Sequence, residues 1–334
     1  MSTALRIGLI GAGQHGRYLS PFLREAGAVD LVAAADPSEE SRHKALRECG
    51  YERAYEDYRA LLAAETLDAV LVATPHHLLA ESCLAAIARG CHVFCEKPSA
   101  LNASQAAEVA SAARAAGRVL MVGYCLRYNQ ARLALKRLVD DGALGEVTMF
   151  AGGKGSRPWP GWLGCPESGG GQMMFLGSHL IDQVLWLTGK PGEQVYADMT
   201  RTREGGTDET TAFTLRLAGG IRGELLVSQA VGVSYDYVEL FGTGGRARAE
   251  WPSMLLTVHS AVNPAYQFPT TARVLGDSHK PMYVAELTEF LAAVREGREA
   301  AIGGADAIRT LAVIDAVFAS AKLGAPVAVD GGKG

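Results

Sequence analysis

The sequence predicts an α/β protein with two parts. The first is a doubly wound parallel sheet, and the second is an α+β domain with an open, mostly antiparallel sheet. Over the first 122 residues, short runs of Val, Ile and Leu alternate with longer alanine-rich segments of helical spacing. After Gly123 that alternation stops. From 193 to 260 the chain is rich in β-forming residues split by glycine turns. Continuous apolar strands alternating with helices are the mark of β-α-β units around a buried sheet, whereas short strands with tight turns mark antiparallel pairing.

In chain order, strands are expected at 5–10, 29–35, 69–73, 92–95 and 119–122, with helices at 14–27, 38–49, 75–89 and 103–116 between them. Gly27, Gly90 and Gly117 follow the helical runs where C-terminal caps belong. Residues 127–140 read as one amphipathic helix and 147–151 as a strand. A Gly-, Pro- and Trp-rich loop over 152–171 leads into a helix at about 172–188. Strands at 210–217, 221–229 and 235–241 then read as a meander. Helices at about 282–296 and 304–322 close the chain. Two domains are therefore expected, 1–122 and 123–334, in keeping with a length of 334 residues.

Composition narrows the function. The net charge of −4, with no long run of either sign, argues against a nucleic-acid partner, which requires a basic face. No apolar run reaches the ~18–20 residues of a membrane crossing, so no membrane association is expected. The opening MSTALRIGLIGAGQHG lacks a charged leader region, and its glycines interrupt any apolar stretch, so a cytoplasmic protein is expected. The six cysteines are scattered without a C-x-x-C pair and read as buried free thiols; no metal site is expected.

Gly11-Ala12-Gly13-Gln14-His15-Gly16 follows the first strand and opens a helix. In that context G-x-G-x-x-G points to a dinucleotide. The first glycine permits the tight turn, the second admits a pyrophosphate close to the backbone, and the third lets helix pack on strand. Asp36 ends the next strand, twenty residues past Gly16, where a carboxylate meets the adenosine ribose. A carboxylate there repels a 2′-phosphate, so NAD is expected over NADP. Arg42 and Lys44 lie a little further on. The fourth main strand runs into Cys95-Glu96-Lys97-Pro98. Since strand carboxyl ends line the ligand crevice of such sheets, this Glu-Lys pair is expected beside the nicotinamide half of the cofactor.

Gly11 to Gly16, Asp36, Thr74-Pro75, Glu96-Lys97-Pro98 and Gly169-Gly170-Gly171 through His179-x-x-Asp182 together resemble the Gfo/Idh/MocA oxidoreductases. The resemblance extends over nearly the whole chain. It implies an N-terminal Rossmann domain that binds NAD and a C-terminal sheet domain for substrate binding and oligomerisation, as a homodimer or homotetramer. It implies hydride transfer between a secondary alcohol or ketone of a sugar, cyclitol or related polyol and the nicotinamide. Lys97 matches the catalytic lysine, His179 the histidine that exchanges the alcohol proton, and Glu96 a position near the nicotinamide ribose. General chemistry agrees. The hydroxyl must lose its proton as hydride leaves, histidine titrates near working pH, and a lysine cation steadies the developing alkoxide.

Gln14, His15, Thr74, Pro75 and His76 complete the expected cofactor contacts. Tyr124, Arg127, Arg157, Trp162, Phe175 and Asp182 are the expected substrate contacts. Three departures from the family pattern stand out. Phe175 stands where an aspartate usually precedes the histidine by one helical turn. His76 and Leu79 replace the usual Asn and His, and Met173-Met174 replace aliphatics. Lys154, Trp159 and Glu167 share the 152–171 loop, where tryptophans either stack on a sugar or anchor the loop. Arg127 either meets substrate or forms a structural ion pair. Two other functions fit the same residues: an NAD-dependent glycosidase acting by transient oxidation and elimination, and a dinucleotide-binding sensor without chemistry.

Overall fold

The computed structural model describes residues 4–274 and 279–330; the expected domain ends at 1 and 334 lie outside them. The chain forms two compact units. The first comprises Met1–Cys125 with His279–Ala307, and the second Leu126–Ser278 with Ile308–Gly334.

In the first unit, six strands lie in the order β3-β2-β1-β4-β5-β6. They are β1 (Leu5–Ile10), β2 (Val29–Ala35), β3 (Arg53–Tyr55), β4 (Ala69–Val72), β5 (His92–Glu96) and β6 (Leu120–Gly123). Every pairing is parallel. The crossovers are α1 (Gln14–Ala26), α2 (Glu39–Lys44, continued by a wider turn to Cys49), α3 (Tyr58–Ala64), α4 (His76–Ala88) and α5 (Ala103–Ala115). Strands flanked by helices on both faces bury both rows of side chains. Accordingly Ile10, Val32, Val70, Val72, Val93 and Cys95 are nearly or wholly inaccessible, along with Leu79 and Cys83 of α4. Each such aliphatic contributes about 1.5–3 kcal/mol by leaving water.

Two elements of this unit, β3 and α3, carry no clear sequence signal. Three-residue β3 is an edge strand that pairs only with β2, and its residues are half-buried or exposed, so no apolar run marks it. The unit also reclaims a distant segment. Helix α8 (His279–Glu296) packs on α1, with the Phe22 and Tyr283 rings stacked at 6.1 Å and Tyr18 edge-on to Tyr283 at 5.6 Å. Arg295 also donates to the Ala28 carbonyl at 2.8 Å. The expected boundary at 122 is thus displaced to 125, and 279–307 belongs with the first unit rather than with 123–334. An amphipathic pattern reveals that a helix needs a partner but not which one.

The second unit holds a sheet in the order β14-β13-β12-β11-β7-β10-β9-β8-β15. Its strands are β7 (Val147–Gly155), β8 (Gly192–Arg201), β9 (Asp208–Leu217), β10 (Arg222–Ser228), β11 (Tyr235–Gly242), β12 (Gly245–Trp251), β13 (Leu255–Ser260), β14 (Thr270–Arg273) and β15 (Val327–Ala328). The expected meander is broken: β7 lies between β10 and β11, parallel to the first and antiparallel to the second. Strand β7 is also four residues longer than expected and ends at Gly155, so the loop starts at 156. Its glycines conceal the strand in the sequence because they make room for neighbours. A Cβ on Gly152 would lie 2.8 Å from Leu225 and 3.0 Å from Leu180, and one on Gly153 2.8 Å from the Tyr237 ring. Helices α6 (Gln130–Asp140) and α7 (Ser178–Thr188) and the later part of α9 (Gly304–Leu323) cover one face. Residues 125–128 form a separate short turn ahead of α6 instead of its first turn. The opposite face leaves Met149, Tyr196 and Leu226 exposed.

Candidate active site

Because all six strands of the first unit run the same way, their carboxyl ends gather the sequence-selected residues along one edge. The glycine turn follows β1, Asp36 follows β2, Thr74-Pro75 follow β4, Glu96 ends β5 and Tyr124 follows β6. The strand order reverses between β1 and β4, where such sheets bind ligands. Gly11 has φ of +91°, and a Cβ there would lie 2.6 Å from the Ala73 carbonyl oxygen. Its N–H donates to Ala35 at 2.9 Å, tying the turn to the end of β2. Gly13 caps α1 in extended conformation, and the space its Cβ would enter is open. Gly16 is buried, and a Cβ there would strike the Gly11 carbonyl. Gln14 is exposed at the start of α1.

Asp36 Oδ1 accepts from Ser38 N–H at 2.9 Å, and its side chain is half-buried. The Arg42 guanidinium donates to the Asp36 and Pro37 carbonyls at 2.8 and 2.9 Å. Thr74 Oγ1 is buried with no hydrogen-bond partner among the described residues. Buried hydroxyls rarely go unpaired, so an orphan beside the glycine turn fits an incoming ligand atom. Pro75 caps α4, whose first residue, His76, is buried. A free cradle at Gly13, amides at the α1 start and a carboxylate after β2 fit a dinucleotide.

The Glu96-Lys97-Pro98-Ser99 turn is closed by Ser99 N–H to Glu96 O at 3.1 Å, with a cis peptide before Pro98. Glu96 and Lys97 are 7% and 8% exposed. Glu96 pairs in register with Gly123, whose missing side chain leaves space for the Glu96 carboxylate. His15 Nε2 lies 2.9 Å from Glu96 Oε1, so the glycine turn and the Glu-Lys turn are directly joined. Helix α8 adds Tyr283, its ring edge-on to His15 at 5.9 Å, and the fully buried Glu286. Burial pushes the Cys125 thiol well up; the Glu286 and Glu96 carboxylates add to this, while Lys97 opposes it. Tyr283 and Glu286 escaped the sequence reading because they lie more than 180 residues beyond Lys97, and nothing in the helix sets Glu286 apart from its neighbour Glu289.

The remaining selected residues belong to the second unit. Phe175 lies in a wide helical turn, Met173–Gly177, that runs directly into α7, and His179 is the second residue of α7. The lead-in is pinned: Met173 N–H donates to the buried Asp208 carboxylate at 2.7 Å, and Gln172 donates to Gln229 at 3.0 Å. Burial raises the Asp208 pKa, with backbone N–H groups opposing. Trp159 stands edge-on to Phe175 at 5.7 Å, and its indole N–H donates to Ser156 at 3.2 Å. The aromatic at the family's aspartate position therefore packs with a tryptophan of the preceding loop. Arg127 forms a two-pronged pair with Asp182 at 3.0 and 2.5 Å. Arg157 is exposed and tied to the Gly232 carbonyl at 2.8 Å; Trp162 is half-buried.

Among the described residues, no cluster of three or more His, Cys, Asp or Glu side chains is placed to hold a metal ion. No helix there is long and apolar enough to cross a membrane. Five cysteines are free and buried; Cys165 is partly exposed and donates to Glu167 at 3.0 Å.

A parallel sheet of this order, with a glycine turn at its reversal and a buried Glu-Lys turn hydrogen-bonded to it, defines a nicotinamide-dependent oxidoreductase. Residues 5–124 match the model of an oxidoreductase family with an NAD-binding Rossmann fold, GFO/IDH/MocA, and residues 133–248 match the C-terminal domain of that family. The chain belongs to the GFO/IDH/MocA family. It is 30% identical to a D-xylose 1-dehydrogenase (NADP(+)) of Haloferax volcanii, over 98% of this chain and all of the relative. It is 27% identical to a myo-inositol 2-dehydrogenase of Thermotoga maritima, over 90% and 92% of the two chains. A solved levoglucosan dehydrogenase, in complex with NADH and levoglucosan, has the same fold, with TM-score 0.91 and 24% identity over 98% of this chain and all of that one.

Proposed function

We propose that the chain transfers hydride between a secondary alcohol, or its ketone, of a sugar, cyclitol or related polyol and a nicotinamide dinucleotide, with Lys97 and His179 handling the proton. The observation that supports this most directly is the buried Glu96-Lys97 turn joined to the dinucleotide turn through His15. The names of the relatives supply the substrate class.

A dinucleotide bound here would supply the hydride acceptor or donor. Amide groups at the α1 start hold the pyrophosphate. Asp36 accepts from the adenosine ribose hydroxyls and favours NAD, and Glu96, steadied by His15, accepts from the nicotinamide ribose. Lys97 donates to the substrate oxygen and stabilises its negative charge as the carbon is oxidised. His179 takes the hydroxyl proton and returns it in the reverse direction. Tyr124, Arg157 and Trp162 serve substrate recognition, and the Arg127–Asp182 pair holds α7 in place. The first unit carries the cofactor, and the second carries substrate binding and assembly into a dimer or tetramer. A screen of sugars and cyclitols for NADH formation tests the proposal. Turnover that disappears in Lys97→Met supports it, and absence of turnover across a broad panel overturns it.

A further inference from the structure

Three charged side chains of the second unit share one buried cluster that plays no part in the mechanism above. Asp236 of β11 accepts from Arg132 of α6 at 2.5 Å through one oxygen and from Lys154 of β7 through the other. The side-chain exposures of Arg132, Asp236 and Lys154 are 1%, 0% and 10%. Arg132 is satisfied by this carboxylate together with the Ala249 carbonyl. Burial favours the neutral acid of Asp236, but Lys154 and Arg132 outweigh it and hold the pKa below the ordinary carboxylate range.

The charge does not balance. Two cations share one carboxylate, and the Glu250 and Arg248 charges that also act on Arg132 pair with each other and cancel, so the cluster carries a net charge of +1. Desolvating an unmatched ion costs several kcal/mol. A fold that needed only to pair Arg132 had done so with Asp236 alone, and Lys154 adds the unmatched charge. An ammonium has three donors, and among the described residues the partners of Lys154 are Asp236 and the face of Trp251, 5.9 Å away. What exposure the cluster has lies on Lys154.

Register places the Lys154 backbone on the face of β7 that α7 covers. Gly152, two residues earlier and on the same face of β7, lies against Leu180, the residue after His179. Same-face positions are about 6.6 Å apart along a strand, so Lys154 lies one such step further toward the loop that leads into α7.

We propose that Lys154 is a further substrate-binding residue, and that the excess charge it carries selects a polyhydroxylated substrate bearing one carboxylate, a sugar acid. This rests on the polyol oxidoreductase reading above. A single carboxylate neutralises the cluster, whereas a phosphate dianion overshoots it and a neutral polyol leaves it unbalanced.

The test is calorimetry of the NADH-saturated full-length protein with D-glucuronate and D-gluconate against D-glucose and myo-inositol, with turnover measured in parallel. Wild type is expected to bind at least one acid more tightly than the neutral compounds. Lys154→Met is expected to weaken acid binding about tenfold to a hundredfold, the size of a charged hydrogen bond. It should leave neutral affinities within about threefold. Lys154→Arg should keep part of the preference. Since Lys154→Met leaves a neutral Arg132–Asp236 pair, its melting temperature should hold; Lys154→Gln provides a second variant should the methionine fail to fold. A purely structural lysine would lower stability and affect both substrate classes alike, and that result overturns the inference. Wild type that binds or turns over neutral polyols but shows no preference for acids overturns it while leaving the proposed function intact. Neither class binding nor reacting overturns both.

Discussion

Gly13 and Gly16 are written identically in the motif, yet their surroundings differ. A Cβ at Gly16 meets the backbone of the turn itself, whereas one at Gly13 enters open space. Gly16→Ala should therefore lower the melting temperature. Gly13→Val should leave it nearly unchanged and weaken NADH binding roughly tenfold or more, by blocking the close approach of a pyrophosphate. Fluorescence titration beside a thermal melt separates the two. Lys97→Met should lower kcat by about 10²–10⁴, the usual range for a lost acid-base group. His179→Asn should do the same, and the double variant should lose less than the product of the two, as residues acting in one step do. NADH affinity should stay close to wild type in all three. At this scale much was legible, because glycines, Asp36 and the Glu-Lys turn serve contacts that few other residues can make. The His15–Glu96 bond was not, since nothing local to either residue announces a partner 81 positions away.

At the scale of elements, buried carboxylates hold β7 and the lead-in to α7 in place. Asp236 ties β11 to both α6 and β7, so Asp236→Asn strands two cations and should cost about 3–5 kcal/mol in denaturant unfolding. The same carboxylate predicts a pH dependence. Its pKa is depressed in the folded chain, so its contribution is fully present above the unfolded carboxylate value, near ~3.9. That contribution declines as pH falls through the depressed value. Wild type should lose stability steeply on acidification, and the Asn variant, already destabilised, should show a shallower acid limb. The wide turn at Met173–Gly177 holds Phe175 and sets where His179 falls at the start of α7. Sequence periodicity placed that helix well, because its apolar face repeats. It misplaced the end of β7, because Gly152, Gly153 and Gly155 read as loop while serving close packing.

For the whole molecule, helices among the described residues cover one face of the second unit's sheet. Met149, Tyr196 and Leu226 remain exposed on the other, an apolar surface of the sort that marks interaction sites. Assembly through this face predicts that Leu226→Glu with Tyr196→Glu lowers the molar mass measured by light scattering. The Arg132–Asp236–Lys154 cluster, on the covered face, should be undisturbed. A wild-type chain already monomeric at working concentration would refute assembly by this route.

The alternation of apolar runs with helical segments, the glycine turn and the acid after β2 determined, without any coordinates, a dinucleotide-binding α/β unit followed by a second domain. These features are short-range: each depends on periodicity or on backbone conformations that only certain residues adopt. Tertiary structure alone decided that α8 returns to pack on α1, that β7 inserts beside β10, and that Lys154, Asp236 and Arg132 meet. Such pairings join residues 73 to 267 positions apart, and they depend on which surfaces remain unburied once every local element has formed.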